Sequence, residues 1–260
     1  VNSLLGKHLA LPEAMSLVAK NIDTLPKCIK RNYEKWGDRK VAMRQKRRGI
    51  WQEYTWKDEY ERIKSACLGL IALGLERGDT VCIIGGSCVE YYWLMFAVHS
   101  AGACVTGLSW DSLPSEIEYI ARHSRAKFLV PQGQEQVDNV QFIKHNLPHL
   151  QTILYLDPKG LNEYDHSLLI SFAELMKSGE NYRQSYPDLF EQRVNDGKPD
   201  DIANIFYTSG TTGTPKGAML SHGVLMAQWE AVVRTIPAAR ECNFFCSLPP
   251  SSMIEGFTSV

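Results

Sequence analysis

The order of short apolar runs and helical patterns along this chain predicts an α/β fold: a mostly parallel, helix-covered sheet built of βαβ units. Two observations carry that prediction. Between residues 81 and 156, strand-like runs alternate with amphipathic stretches at the spacing of right-handed crossovers. Glycine-containing turns punctuate the joints, as at Gly85-Gly86 and Gly102.

The elements follow in order. Thr24-Leu25-Pro26 supplies a capping residue and an early proline for a first helix, which Gly37 closes. Residues 41–45 and 50–54 flank the turn Lys46-Arg47-Arg48-Gly49 and predict a hairpin. That turn is the most basic short run in the chain, and it reads as a solvated turn rather than a binding patch. Thr55-x-x-Asp58 resembles a capping box with a shortened acid, and Tyr60, Ile63, Cys67, Leu70 and Ile71 then recur at helical spacing up to Gly74.

Arg77-Gly78-Asp79 makes a turn, and residues 81–84 form a continuous apolar run of the buried-strand type. Ser87 is placed to cap a helix through Tyr91, Leu94, Met95 and Val98. Further strands are expected over 103–107, 127–130 and 152–156, with helices over 115–123 and 134–146 between them. Residues 177–201 are polar and rich in turn formers, which predicts a surface connection before a last β-type run at 203–207.

Composition excludes several function classes. Across 260 residues, 44% are hydrophobic and 22% charged, an ordinary balance for a globular chain. The 28 basic and 29 acidic side chains leave a net charge of −1, without the basic excess of a nucleic-acid binder. Seven scattered cysteines include no C-x-x-C, and Cys242 and Cys246 have no histidine at zinc-finger spacing. A reduced, cytoplasmic setting is the expectation. No secretory signal is recognised, and the apolar run at 91–98 is far too short to cross a bilayer.

The chemistry is expected at Thr208, Ser209, Gly210, Thr211, Thr212, Gly213, Thr214, Pro215, Lys216 and Gly217. Glycines at 210, 213 and 217 permit positive φ and close backbone approach, so that successive N–H groups can cradle phosphate oxygens. The hydroxyls add neutral donors, Lys216 adds a mobile positive charge, and Pro215 stiffens the turn. This is not the common P-loop: Pro215 replaces its second glycine, and Gly217 replaces its metal-holding hydroxyl residue. Nor is it the G-x-G-x-x-G of kinases. A flexible glycine–threonine linker is the plain alternative, and ten consecutive fitting residues between two strands argue against it.

Other residues have simpler readings. His222, at a helix start, reads as a packing or capping residue, and His99 and His123 as structural or solvent-facing. Tyr91, Tyr92, Trp93 and Phe96 read as core, and Glu116 and Glu118 as favourable to a helix dipole.

The stretch Tyr207-Thr-Ser-Gly-Thr-Thr-Gly-Thr-Pro-Lys-Gly-Ala-Met-Leu-Ser-His222 resembles the AMP-binding signature of the superfamily of acyl-CoA synthetases, luciferases and peptide-synthetase adenylation domains. Segments 51–56, 74–79, 100–103 and 111–119 are similar to same-order segments of bacterial long-chain acyl-CoA synthetases, so the resemblance covers most of residues 24–260.

It implies that residues 1–260 are the N-terminal part of the large domain of an AMP-forming long-chain fatty acid–CoA ligase, incomplete at the C-terminus. The implied reaction joins a fatty acid to ATP with Mg2+, giving acyl-adenylate and pyrophosphate, and then transfers the acyl group to coenzyme A. The resemblance further implies that Thr208 lies nearest the metal–phosphate cluster and Lys216 on the outer phosphates. It assigns no catalytic residue within this stretch.

A second family segment lines the substrate pocket. Here Ser252 stands where relatives carry an aromatic ring, and Glu255 where they carry an acid; Val224 replaces a common asparagine. Two alternatives stay open: adenylation of another carboxylic acid, and a non-catalytic nucleotide-binding remnant. Expected partners are small molecules, with no nucleic acid, no transmembrane segment, and peripheral membrane contact left open.

Overall fold

The computed structural model describes residues 22–208, 215–236, 243–246 and 249–251. Helix α1 (Leu25–Trp36) begins where Thr24 accepts a hydrogen bond from the Lys27 N–H, with Pro26 in its first turn. The predicted hairpin follows as β1 (Val41–Arg47) and β2 (Ile50–Thr55), an antiparallel pair separate from the main sheet. Thr55 and Asp58 close a reciprocal capping box on α2 (Trp56–Ala72).

The central sheet has seven strands in the order β7-β6-β5-β3-β4-β8-β9. These are β3 (Thr80–Ile84), β4 (Cys104–Leu108), β5 (Phe128–Pro131), β6 (Thr152–Tyr155), β7 (Leu169–Ser171), β8 (Ile202–Thr208) and β9 (Lys216–Ser221). All neighbouring pairs are parallel except β8 with β9, which form a hairpin. The connecting helices are α3 (Val89–Ser100), α4 (Pro114–His123) and α5 (Gln134–Ile143). Beyond β9 runs α8 (His222–Thr235).

Strand periodicity explains the three layers. Val81 and Ile83 point into one core with Phe128, Val130 and Leu154, while Cys82 and Ile84 point into the other with Leu129 and Ile153. The first core is covered by residues of α1, α2, α3 and α8, and the second by Ile117, Ile120 and Ala121 of α4 and Val137 and Val140 of α5. Helix α3 is buried on nearly every side, Tyr91, Trp93 and Phe96 included. That fits its lack of a polar face.

Two expectations need correction. Residues 177–201 are more helical than expected: 177–185 complete α6 (Phe172–Ser185) and 189–196 form α7 (Leu189–Asp196), with most of these side chains at the surface. Leu175, Phe190 and Val194 anchor these helices in the first core. Ser87 does not cap α3. Cys88 is its N-cap residue, and the free Val89 N–H donates instead to Gln45 Oε1 of β1 at 2.8 Å. A side chain from a distant strand fills the orphan donor, so the local signal misled.

The two ends of the sheet differ. At the amino ends, Arg77 pairs with Asp201, and Lys127 reaches both Asp79 (2.8 Å) and the Gly74 carbonyl (2.7 Å). The carboxyl ends instead open at Gly85-Gly86 after β3, at Gln132-Gly133 after β5, and at Thr208, where β8 ends.

Candidate functional site

The predicted loop leaves the sheet where α/β proteins bind ligands, outside the carboxyl ends of parallel strands. Thr208 is the last residue of β8 and Lys216 the first of β9, and the two are paired in register. The loop between them, Ser209 to Thr214, lies outside the described residues, as do Ser252, Glu255 and Cys242. The structure thus brings Thr208, Pro215, Lys216 and Gly217 together at one stem. Thr208 and Lys216 are both exposed, and Lys216 holds no ion pair among the described residues, so its charge is free to meet an anion.

Gly217 does its work differently from the expectation. It lies within β9 and is not among the glycines of positive φ. A Cβ there would stand 2.9 Å from Ile205 Cγ2 and 3.2 Å from the Tyr207 ring. Close packing across the hairpin, not backbone freedom, is what requires glycine.

Residues missed in the sequence support this stem from behind. The Tyr119 hydroxyl donates to the Pro215 carbonyl at 2.9 Å, and His123 Nδ1 is bonded to the Tyr207 hydroxyl at 2.7 Å. Tyr119 and His123 stack on one another, and both meet Tyr207 edge-on. Their i, i+4 spacing on α4 was the one available signal that they share a helix face. Burial pushes the Tyr207 hydroxyl up to about 12, aided by nearby Tyr119, so at neutral pH it is an uncharged hydrogen-bonding group.

His222 and His99 prove structural. His222 is buried, accepts the Leu25 N–H on Nδ1 at 3.4 Å, and meets His99 edge-on at 5.3 Å. His99 Nε2 is bonded to the Ala203 carbonyl at 3.0 Å. Burial holds His222 down to about 4, assisted by the positive charges of Arg77 and Lys27, so the ring is neutral.

A second opening lies beside the stem. Helix α3 leaves β3 on one face of the sheet and α5 leaves β5 on the other, which makes the gap between these strands a topological switch point. A cavity of about 420 Å³ opens there, lined by Gly86, Trp110, Gln132, Gly133, Gln136 and Asp157. Gln132 Oε1 accepts the Gly86 N–H at 2.7 Å, and Gln136 Nε2 donates to the Trp110 carbonyl at 2.9 Å, so both glutamines are fixed. A larger depression on α6, about 460 Å³ and lined by Glu174, Lys177 and Tyr182, involves no strand end.

No group of three or more His, Cys, Asp or Glu side chains is poised for a metal among the described residues. The Thr208 hydroxyl fits the one protein donor that a phosphate-held Mg2+ needs, the remaining ligands being phosphate oxygens and water.

Comparison with known proteins decides the family. Residues 29–260 match the AMP-binding enzymes. The chain belongs to the AMP-binding enzyme family. Long-chain-fatty-acid–CoA ligase ACSBG2 of Xenopus laevis is 31% identical over 199 residues, covering 76% of this chain and 26% of that protein. The corresponding ligase FadD15 of Mycobacterium bovis is 28% identical over 227 residues, covering 81% and 36%. This AMP-binding chain therefore spans roughly a quarter to a third of the length of these relatives.

Solved structures agree on the fold. The long-chain-fatty-acid–CoA ligase FadD1 of Archaeoglobus fulgidus matches 91% of this chain and 44% of its own with a TM-score of 0.67 at 19% identity. ATP-bound MatB of Rhodopseudomonas palustris matches 89% and 42% with a TM-score of 0.68 at 23% identity. The mostly parallel, helix-covered α/β fold is thus shared with these solved structures.

Proposed function

We propose that this chain supplies the ATP-phosphate-holding part of a ligase that activates a long-chain fatty acid as its acyl-adenylate and passes it to coenzyme A. The observation that carries this reading is the stem itself: Thr208 opposite Lys216 at the carboxyl edge, braced by Tyr119. The relatives' names supply the substrate class.

In this reading residues 208–217 wrap the β- and γ-phosphates with backbone N–H groups. Lys216 and the threonine hydroxyls offset negative charge as pyrophosphate leaves, stabilisation aimed at where charge develops. Mg2+, when bound, neutralises phosphate charge beside Thr208. Ser252 and Glu255, by their resemblance to the second family segment, would line the substrate pocket, on its acyl or its nucleotide side. The switch-point cavity beside Gly86 gives the same edge room for a second substrate. A reducing, cytoplasmic setting is the reading that seven scattered cysteines without a C-x-x-C favour.

The test is Lys216→Ala in the full-length protein, followed by acid-dependent pyrophosphate release. Loss of a charged hydrogen bond predicts a fall on the order of tenfold to a hundredfold in turnover at limiting ATP. Unchanged kinetics would remove the loop from the reaction. The same assay across a panel of acids should favour long chains; acetate or an amino acid as best substrate would overturn the fatty-acid assignment and leave adenylation standing.

A further inference from the structure

The β1–β2 hairpin has a composition and a placement unlike the rest of the surface. Residues 40–55 carry Lys40, Arg44, Lys46, Arg47 and Arg48 against the single acid Glu53, in a chain whose net charge is −1. Every residue from Lys46 to Glu53 is exposed. Ile50 and Trp51, beside the turn, are 70% and 58% exposed, although an isolated hairpin gains nothing from presenting such side chains to water.

Register sorts these groups. Lys46 pairs with Trp51 and Arg44 with Glu53 on the outward face, while Gln45 and Arg47 turn toward the body. There Gln45 bonds the Val89 N–H, and Arg47 pairs with Glu90 at 2.5 Å. These two contacts fix the hairpin against the start of α3, just beyond the carboxyl end of β3. The Arg44–Glu53 pair (2.8 Å) uses up the hairpin's only acid. Lys46, whose ammonium lies 5.9 Å from the Trp51 ring, and Arg48 keep their charges unpaired among the described residues.

We infer that this hairpin tip docks the protein on an anionic membrane surface. Trp51 enters the headgroup region while Lys46 and Arg48, on the same outward side, engage lipid phosphates and carboxylates. Aromatic rings favour that interface, and basic side chains are drawn to it by its negative potential. An acidic protein surface would draw the same side chains, and pelleting with protein-free anionic vesicles is what separates the two. The tip lies on the side of the sheet where the phosphate loop and the switch-point cavity open.

The experiment is vesicle cosedimentation with the full chain, and it requires no turnover, so its failure is separate from failure of the ligase reading. Vesicles of phosphatidylcholine with about a third phosphatidylserine should pellet the protein, and phosphatidylcholine alone should not. Lys46→Glu with Arg48→Glu should reduce binding on the order of tenfold or more, and raising salt should do the same. Trp51→Ala, with all charges retained, should weaken binding several-fold. Tryptophan emission should shift to the blue on binding, and Trp51→Phe should abolish that shift. Circular dichroism of each variant checks that the fold survives. No pelleting with anionic vesicles overturns the proposal. So does vesicle binding that Trp51→Ala leaves intact, which would reduce the contact to charge attraction without entry of the ring.

Discussion

Tyr119 hands its hydroxyl hydrogen to the carbonyl of Pro215, and that bond fixes the residue that leads into β9. Tyr119→Phe keeps the ring and its stack on His123 and removes only the donor. The cost of one neutral hydrogen bond is about 1 kcal/mol. The expected outcome in the full-length protein is a KM for ATP raised a few-fold with little change in kcat. A fall in kcat at saturating ATP with unchanged KM would show that Tyr119 acts on the chemical step rather than on the loop's position. The signature that names the family could be read because it is contiguous in the chain. Its brace could not, because Tyr119 and Pro215 are 96 residues apart and His123 and Tyr207 are 84 apart. Gly217 shows the subtler limit: the sequence marks it as special, but only the neighbouring strand shows that the reason is space.

Helices α2 and α6 cross where two glycines meet. A Cβ on Gly69 would lie 2.4 Å from the Leu175 carbonyl oxygen, and one on Gly179 only 1.8 Å from that of Ser65. Both obstacles are backbone atoms, so no rotamer change relieves them. Gly179→Ala should gain up to about 1 kcal/mol in helix propensity and lose roughly 2–3 kcal/mol to overpacking. Net destabilisation is expected in urea unfolding, while a more stable variant would show that the helices do not cross this closely. The same contact explains why α6 and α7 escaped sequence reading. Their burial rests on a few apolar side chains such as Leu175, Phe190 and Val194, and on glycine surfaces that carry no hydropathy signal. Elements that bury a full apolar stripe or run, such as β3 and α2, were read within a residue or two.

For the molecule as a whole, two buried titratable groups pull stability in opposite directions with pH. His222 is held down to about 4, first by burial and then by Arg77 and Lys27. Its unfolded form takes up a proton near 6.5, before the folded form does, so the stability it contributes is full above 6.5 and is lost as pH falls toward 4. Glu59 is the reverse case. Burial on α2 raises its carboxyl from the ordinary 4.5 to about 8, so the folded state keeps a proton that the unfolded chain has released. Stability is therefore lost as pH rises from 4.5 through 8. The capping carboxylates Asp58 and Glu174, lowered mainly by hydrogen bonds from Thr55 and Ser171, add to the loss on the acid side. His99, which burial also holds well below the ordinary histidine value, doubles the histidine slope, so these groups together place maximal stability at roughly pH 6–7. Glu59→Gln isolates the alkaline limb, since it keeps the shape and removes the ionisation. Urea unfolding across pH 4 to 9 should show the variant more stable than the parent at pH 8, on the order of 3 kcal/mol. The acid limb should be unchanged and the maximum moved to higher pH. Parallel curves for the two proteins above pH 5 would mean that Glu59 ionises normally in the folded state, and that the alkaline loss has another source.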